Sequence, residues 1–245
     1  MIPRRPLRLT QIAARIALLA MLCAACVATA RAGDGTIVYR KVFPSSDPEY
    51  VEIRVGQAQG ATWDIRQIAD PADPQPLEIR PALRAKIFAL AAALNNFDGV
   101  DLNVHRRLAN LGQKTFRYES GGVVHETTFN YTMDQNASQL LEIFEGFTRQ
   151  QVDLIAIEHS MKYDRLGIND ALMQFEDDLN ERNLPEPDAL LPALDKIAAD
   201  SRFLNLARER ARSLAERIRT TTGAPPASAP APPAAQTPAA PAPQL

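Results

Sequence analysis

Apolar and polar positions alternate most regularly between Thr115 and Tyr131, where they predict a β-hairpin. All aromatic side chains of this stretch share one set of alternate positions, and its charged side chains share the other. Such alternation is typical of strands with one buried and one solvated face. Gly121-Gly122 stands between the strands and suits a two-residue turn, because both central positions of that turn need positive φ. The turn predicts three cross-strand pairs: Phe116 with Thr127, Tyr118 with His125, and Arg117 with Glu126.

After the hairpin, the spacing of apolar residues changes to three and four, which predicts a long amphipathic helix. The helix should span about 28 residues and end near Arg165. Asn136 is the predicted N-cap, with Gln139 completing a capping box. Gly167 is predicted to end the helix in the left-handed conformation. The apolar stripe is formed by Leu140, Ile143, Phe144, Phe147, Leu154, Ile157 and Met161.

The chain before this hairpin shows three further alternating segments and one helical segment. The alternation predicts strands at Thr36–Phe43, Tyr50–Val55 and Ala61–Ile68. Pro81 occupies the first position of a predicted helix, where its missing N–H costs nothing. Residues 101–113 show no periodicity that assigns an element.

After the long helix, the apolar spacing predicts three short helices. Their predicted caps are Asn169, Asp188 and either Asp200 or Ser201, and the segment Pro185-Glu186-Pro187 separates the first helix from the second. Together with the long helix, they could form a small antiparallel bundle.

These elements predict an α+β fold: an antiparallel sheet of four or five strands with helices on one face, followed by a C-terminal helical bundle and a disordered Pro/Ala tail. The tail contains no charged and no aromatic residue, so it cannot bury enough surface to offset its ordering entropy. The predicted domains are a signal peptide at 1–32, a sheet–helix domain at 33–165, a helical subdomain at 166–220 and the tail at 221–245.

The N-terminal residues predict export. Four arginines precede and enter an apolar segment that is too short to cross a bilayer, and Ala30-Arg31-Ala32 matches a signal-peptidase site. Cleavage near Ala32 would release a periplasmic or secreted protein without a transmembrane segment. Two alternatives stay open: lipoprotein anchoring at Cys26, and a twin-arginine signal at Arg4-Arg5.

Cleavage near Ala32 would change both the cysteine content and the charge of the chain. Cys23 and Cys26 are its two cysteines, so the mature chain would have no disulfide and no thiol ligand or nucleophile. The signal peptide holds five of the 27 basic residues and none of the 29 acidic ones, which leaves 22 against 29. This acidic balance argues against nucleic-acid binding.

Two groups of residues could carry metal chemistry, but their spacing does not favour it. His105, His125 and His159 fall on three different predicted elements and form no H-x-x-x-H or H-x-H pair, so we predict no metal site. The run Glu176-Asp177-Asp178 with Glu181 lies on a predicted helix, where adjacent acids point in different directions. We interpret it as a solvated face.

The remaining candidates are serines and arginines. Ser120 lies in the hairpin, and Ser160 follows His159 on a helix where neighbours do not face each other, so neither resembles an activated nucleophile. No phosphate-binding glycine motif is present. The arginines Arg208, Arg212 and Arg219 share a helix stripe; they predict either a docking strip for an anionic partner or a face paired with Glu209 and Glu216.

These observations predict an exported, non-enzymatic protein that binds another protein of the bacterial cell envelope, without a cofactor. The order strand–strand–helix resembles that of small secreted inhibitor and envelope modules of bacteria, which implies the same broad setting. Two alternatives remain. One is a periplasmic hydrolase whose acids and histidines converge only in three dimensions, and the other is a carrier of a small apolar ligand.

Overall fold

The computed structural model describes residues Gly35–Ala224. The predicted signal peptide with its two cysteines, and the tail beyond Ala224, lie outside the described residues. The described chain has an α+β fold, as predicted, with a six-stranded antiparallel sheet and five α-helices. No helix within Gly35–Ala224 has both the length and the apolar character needed to cross a membrane.

The strands and helices follow one another along the chain with two short 3-10 helices, at Asn95–Phe97 and Pro187–Leu190. The strands are β1 Thr36–Val42, β2 Tyr50–Gly56, β3 Ala61–Arg66, β4 Gln75–Leu77, β5 Gln113–Ser120 and β6 Val123–Phe129. The helices are α1 Pro81–Ala93, α2 Gln135–Tyr163, α3 Ile168–Asn180, α4 Leu191–Ala199 and α5 Asn205–Thr222.

The sheet has the strand order β4-β3-β2-β1-β5-β6, so the predicted count of four or five strands is wrong by the short strand β4. This strand has three residues, one of them Pro76, which is too few for an alternating pattern to be recognised. It forms because Ala61–Trp63 of β3 pairs with it, an interaction that the local sequence does not encode.

The predicted hairpin is confirmed. Ser120 lies opposite Val123, and each of the three predicted cross-strand pairs is present in β5 and β6. Gly121 and Gly122 have φ values of 56° and 84°, the positive region that the turn requires. Local turn chemistry therefore fixes the register of this part of the sheet.

The inner face of the sheet packs on a cluster of aromatic side chains that are all 2% exposed or less. Phe116 is at its centre, with ring centroids 5.4 Å from Phe97, 5.1 Å from Phe129 and 6.1 Å from Phe144. The ring of Tyr39 stacks on that of Phe144 at 5.1 Å. Aromatic rings bury large areas, so this cluster contributes strongly to the hydrophobic stabilisation of the sheet unit.

The ends of the long helix differ from the prediction. Asp134, not Asn136, caps α2, because its Oδ1 accepts a hydrogen bond from the N–H of Ala137 at 2.9 Å. Gly167 has φ −74°, so it is not left-handed. Its carbonyl accepts the N–H of Asp170, and it begins α3 instead of ending α2.

The chain divides into two compact units between Thr148 and Arg149, within α2. The second unit has its own hydrophobic core, built from the second half of α2 and from α3, α4 and α5. The predicted bundle arrangement stays a prediction. Fully buried residues of this core include Ile157, Leu172, Phe175, Leu194 and Ala207. Helix α5 begins at Asn205 rather than at the predicted caps, and it ends before Gly223, which has φ 71°.

We expect Tyr39→Phe to stabilise the sheet unit. The Tyr39 side chain is fully buried, its hydroxyl has no hydrogen-bond partner, and burial raises its pKa well above the usual value. Removing an unsatisfied buried hydroxyl should raise the free energy of unfolding by about 1 kcal/mol. Denaturant titration followed by the fluorescence of Trp63, the single tryptophan, measures this unit.

Tyr50→Phe is the matched control, because the Tyr50 hydroxyl donates a hydrogen bond to Glu52 Oε2 at 2.9 Å. We expect this change to lower the free energy of unfolding slightly or to leave it unchanged. If Tyr39→Phe destabilises the unit as well, the Tyr39 hydroxyl has a partner, and the interpretation is wrong.

Candidate functional site

The three histidines lie in different surroundings. His105 Nε2 contacts Asp101 Oδ2 at 2.7 Å in an exposed loop, and this bond lowers the pKa of Asp101. His159 is exposed on α2, with its ring centroid 5.1 Å from that of Tyr163. His125 lies opposite Tyr118 in β6, and its buried Nδ1 has no hydrogen-bond partner. Within residues 35–224, no three histidine, cysteine or acidic side chains form a group that could hold a metal ion.

We predicted that the acidic run on α3 forms one solvated face, and this prediction is wrong. Glu176 pairs with Arg210 at 2.5 Å and with Arg217 at 3.0 Å, so it joins α3 to α5. Asp178 is only 9% exposed. Burial of Asp178 on an otherwise charged helix depends on packing that the run of acids alone does not reveal.

Two arginines of the predicted stripe on α5, Arg208 and Arg219, contact other parts of the helical unit. Arg219 contacts Asp195 on α4 at 2.5 Å, and Arg208 donates to the carbonyl of Ala198. Glu209 instead accepts a hydrogen bond from Asn205 at 2.7 Å. The polar side of α5 is therefore engaged mainly in holding the helical unit together.

A buried carboxyl pair is the most unusual electrostatic feature of the helical unit. Asp153 on α2 is 4% exposed, and its Oδ2 has no hydrogen-bond partner. Burial, the largest cause, and the nearby carboxylate of Asp178 together raise the pKa of Asp153 to about 7, and Arg149 partly opposes them. This carboxyl group can therefore take up or release a proton near neutral pH.

Gln150, one turn before Asp153, extends the buried polar group. Its Oε1 accepts a hydrogen bond from the backbone N–H of Glu186 at 2.9 Å, whereas its Nε2 has no partner. Sequence reasoning missed both residues, although a signal exists. Asp153 precedes the buried Ile157 by four positions, and so lies on the same side of the helix.

The outer face of the sheet carries a groove of about 210 Å³ with charged walls. Arg54 contacts Glu119 at 2.8 Å, and Arg117 contacts Glu119 at 2.7 Å and Glu126 at 3.4 Å. These charges satisfy one another across three strands. The face is therefore a paired, hydrated surface rather than an apolar docking surface.

The two edges of the sheet differ in how they are protected. At one edge, β4 has three residues and contains Pro76, which cannot donate a backbone hydrogen bond. At the other edge, β6 has seven residues, contains no proline, and among the described elements pairs only with β5. An unpaired strand of this length is a template for pairing with another chain.

The loop 100–112 lies against the end of β6 that is far from the turn: the hydroxyl of Thr127 donates to the carbonyl of Val100 at 2.7 Å, and the N–H of Val104 donates to the carbonyl of Tyr131 at 3.0 Å. Asn130 holds this loop by donating to the carbonyl of Ala109 at 2.8 Å and by accepting from the N–H of Leu111 at 2.7 Å. The buried ammonium of Lys114 donates to the carbonyls of Leu111 and Asn130 at 3.1 and 3.0 Å. Next to the hairpin turn, Val123, Val124 and Glu126 are exposed within the part of the chain that the structure describes.

We expect Asp153→Asn to stabilise the helical unit at pH 8 but not at pH 4. The pKa of Asp153 is higher in the folded protein than in the unfolded chain, so the folded protein binds more protons. The free energy of unfolding therefore falls as pH rises from about 4 to about 7. Removing the ionisable group abolishes this loss. The gain at pH 8 should be on the order of 2 kcal/mol, because screening by water reduces the full effect of the shift.

Denaturant titration followed by far-ultraviolet circular dichroism at several pH values measures this gain. Asp177→Asn is the matched control, since it removes an exposed acid from α3 beside Asp178. A gain for Asp153→Asn that is equal at pH 4 and pH 8 would show that Asp153 does not titrate between these values.

No protein-family model matches the chain, and no curated protein matches its sequence at a significant level.

Proposed function

We propose that this chain is an exported, non-enzymatic protein of the cell envelope that binds another protein by adding a partner strand to β6. The observation that carries the proposal is the unprotected edge at Val123–Glu126, in a sheet whose opposite edge is short and contains proline. Strand addition uses backbone hydrogen bonds for affinity and alternate side chains for specificity.

The hairpin register determines which backbone groups are available. The residues that flank a two-residue turn, Ser120 and Val123, form a hydrogen-bonded pair, and hydrogen-bonded and non-hydrogen-bonded pairs then alternate. Val124 and Glu126 therefore direct their N–H and C=O groups away from β5. These four groups are the ones that a partner strand would bind.

The side chains around this edge indicate what kind of partner strand would fit. Val123 is 54% exposed and Val124 is 48% exposed, so the open segment offers apolar contact beside its free backbone groups. Glu126 already contacts Arg117, which neutralises the outer side of the edge. An extended segment with apolar residues near its end fits this surface better than a charged one.

The alternative of a hydrolase receives less support. A hydrolytic site would bring a histidine and a carboxylate together in a cavity. His105 and Asp101 do meet, but both are exposed, at 74% and 64% of their side chains. Neither the outer-face groove nor the larger cavity of the helical unit has a histidine in its wall.

Export is part of the proposal. The basic and apolar N-terminal segment and the cleavage site near Ala32 support release into the periplasm or the medium. Lipoprotein anchoring at Cys26 is the alternative, and it would keep the same β6 edge available to an envelope partner.

Site-specific photo-crosslinking in cells tests the proposal. A photo-crosslinking amino acid replaces Val124 in one variant and Glu78, an exposed residue next to β4, in another. We expect one dominant crosslinked partner from position 124 and none from position 78. Equal products from both positions would contradict binding at β6.

Two further substitutions, Glu126→Pro and Glu126→Gln, are each added to the variant that carries the crosslinker at position 124. Together they distinguish pairing through the backbone from contact through the Glu126 side chain. Proline removes the outward N–H of residue 126, one of the two N–H groups that point away from β5, and it removes no hydrogen bond within the sheet, whereas glutamine keeps that N–H. We expect the crosslinked product to fall at least tenfold with proline and less than threefold with glutamine. Trp63 fluorescence checks that the proline variant is folded, and an unchanged product from a folded proline variant would overturn strand addition.

A further inference from the structure

The helical unit contains a cavity of about 690 Å³, within the size range of small-molecule sites in proteins. Its wall comes from the second half of α2 and the turn after it, from the segment that leads into α4, from α4 itself, and from the turn between α4 and α5. It is therefore built from several elements of one compact unit.

The floor of the cavity is apolar. Phe203 is 6% exposed and Ala193 is 8% exposed, so both belong to the core of the unit as well as to the cavity wall. The other apolar residues of the wall are Leu154, Met161, Ala189 and Pro192. A wall of this kind favours a ligand with an apolar body, and the flexible Met161 side chain can adjust to its shape.

The rim is basic. Lys162, Arg165, Lys196 and Arg202 face the cavity, against the two acids Glu158 and Asp200. Arg202 holds Asp200 through Nε at 2.9 Å and Nη2 at 2.6 Å, and this pairing lowers the pKa of Asp200 to about 2. That ion pair is internally neutral and orders the turn between α4 and α5.

Apart from that ion pair, the rim carries three cations and one acid, Glu158. Lys162, Arg165 and Lys196 are exposed, and none of them forms an ion pair within the described chain. The local excess of positive charge contrasts with the acidic balance of the chain after residue 32. Opposite charge at a rim selects and orients an anionic group of the ligand.

We propose that this cavity binds an amphiphile with a single alkyl chain and an anionic head group, with the chain on the apolar floor and the head at the rim lysines. The apolar floor accounts for the alkyl chain, and the three cations, which form no ion pair within the described residues, account for the negative head. A fully apolar ligand would leave the cations unused, and a small polar anion would leave the apolar floor exposed to water.

Binding of dodecanoate, measured by calorimetry below its micelle concentration, tests the proposal on the mature chain. Dodecanol has the alkyl chain without the charge, and propanoate has the charge without the chain. We expect saturable binding of dodecanoate, at least tenfold weaker binding of dodecanol, and no measurable binding of propanoate. Equal binding of dodecanol, or no saturable binding of dodecanoate, overturns the proposal.

Variants locate the ligand in the cavity. Lys162→Gln with Lys196→Gln should weaken dodecanoate binding at least tenfold and leave dodecanol binding unchanged. Ala189→Trp, which fills the exposed end of the floor, should weaken both ligands. Lys86→Gln with Arg212→Gln is the matched control, because both residues are exposed and neither lines the cavity.

Circular dichroism confirms that each variant is folded. Folded lysine and tryptophan variants that bind dodecanoate as tightly as the control would place the ligand elsewhere, and the proposed site would be wrong.

Discussion

The register of the β5–β6 hairpin is the constraint on which the sheet unit depends. Because side chains alternate between the two faces of a strand, a slip of β6 by one residue against β5 would move Phe129 to the solvent face and turn Thr128 and Glu126 toward the core. The two glycines of the turn exclude this slip by accepting positive φ at adjacent positions. The aromatic cluster then forms around Phe116, and β1 and the first half of α2 pack on it through Tyr39 and Phe144.

The same register also sets the binding properties that we propose for the edge. It decides that Val124 and Glu126 present their backbone groups outward, while Thr127 and Phe129 face the core. The loop held by Asn130 and Lys114 limits the open edge to the part near the turn. A single local feature, the two-glycine turn, thus links the stability of the core to the availability of the edge.

The helical unit is organised differently, with polar groups placed inside its core. Asp153 and Gln150 lack partners for some of their buried atoms, which is costly in a protein interior. Asp153 avoids part of this cost by keeping its proton near neutral pH. The surface arginines of α5 are mostly used in contacts with α3 and α4, whereas Lys162, Arg165 and Lys196 at the cavity form no ion pair within the described residues. That difference between paired and unpaired cations distinguishes a structural surface from a candidate ligand site.

The sequence by itself determined the features that depend on neighbours along the chain. The α+β class, the hairpin and its cross-strand pairs, the start of α1 at Pro81 and the presence of the long helix α2 all follow from periodicity and turn chemistry, which are local. The ends of α2 were predicted less well, because Asp134 and Asn136 are both suitable caps and only the path of the chain selects between them.

Tertiary structure alone decided the features that join distant segments. Strand β4 exists because β3 pairs with it, Asp178 is buried in the core of the helical unit, and Arg210 pairs with Glu176 across 34 positions. The open edge at β6 and the cavity with its basic rim are likewise products of which elements meet. Periodicity indicates whether a side chain faces inward. Packing and pairing depend on partners that are far away in sequence. For this reason the sequence alone could predict neither the edge at β6 nor the cavity.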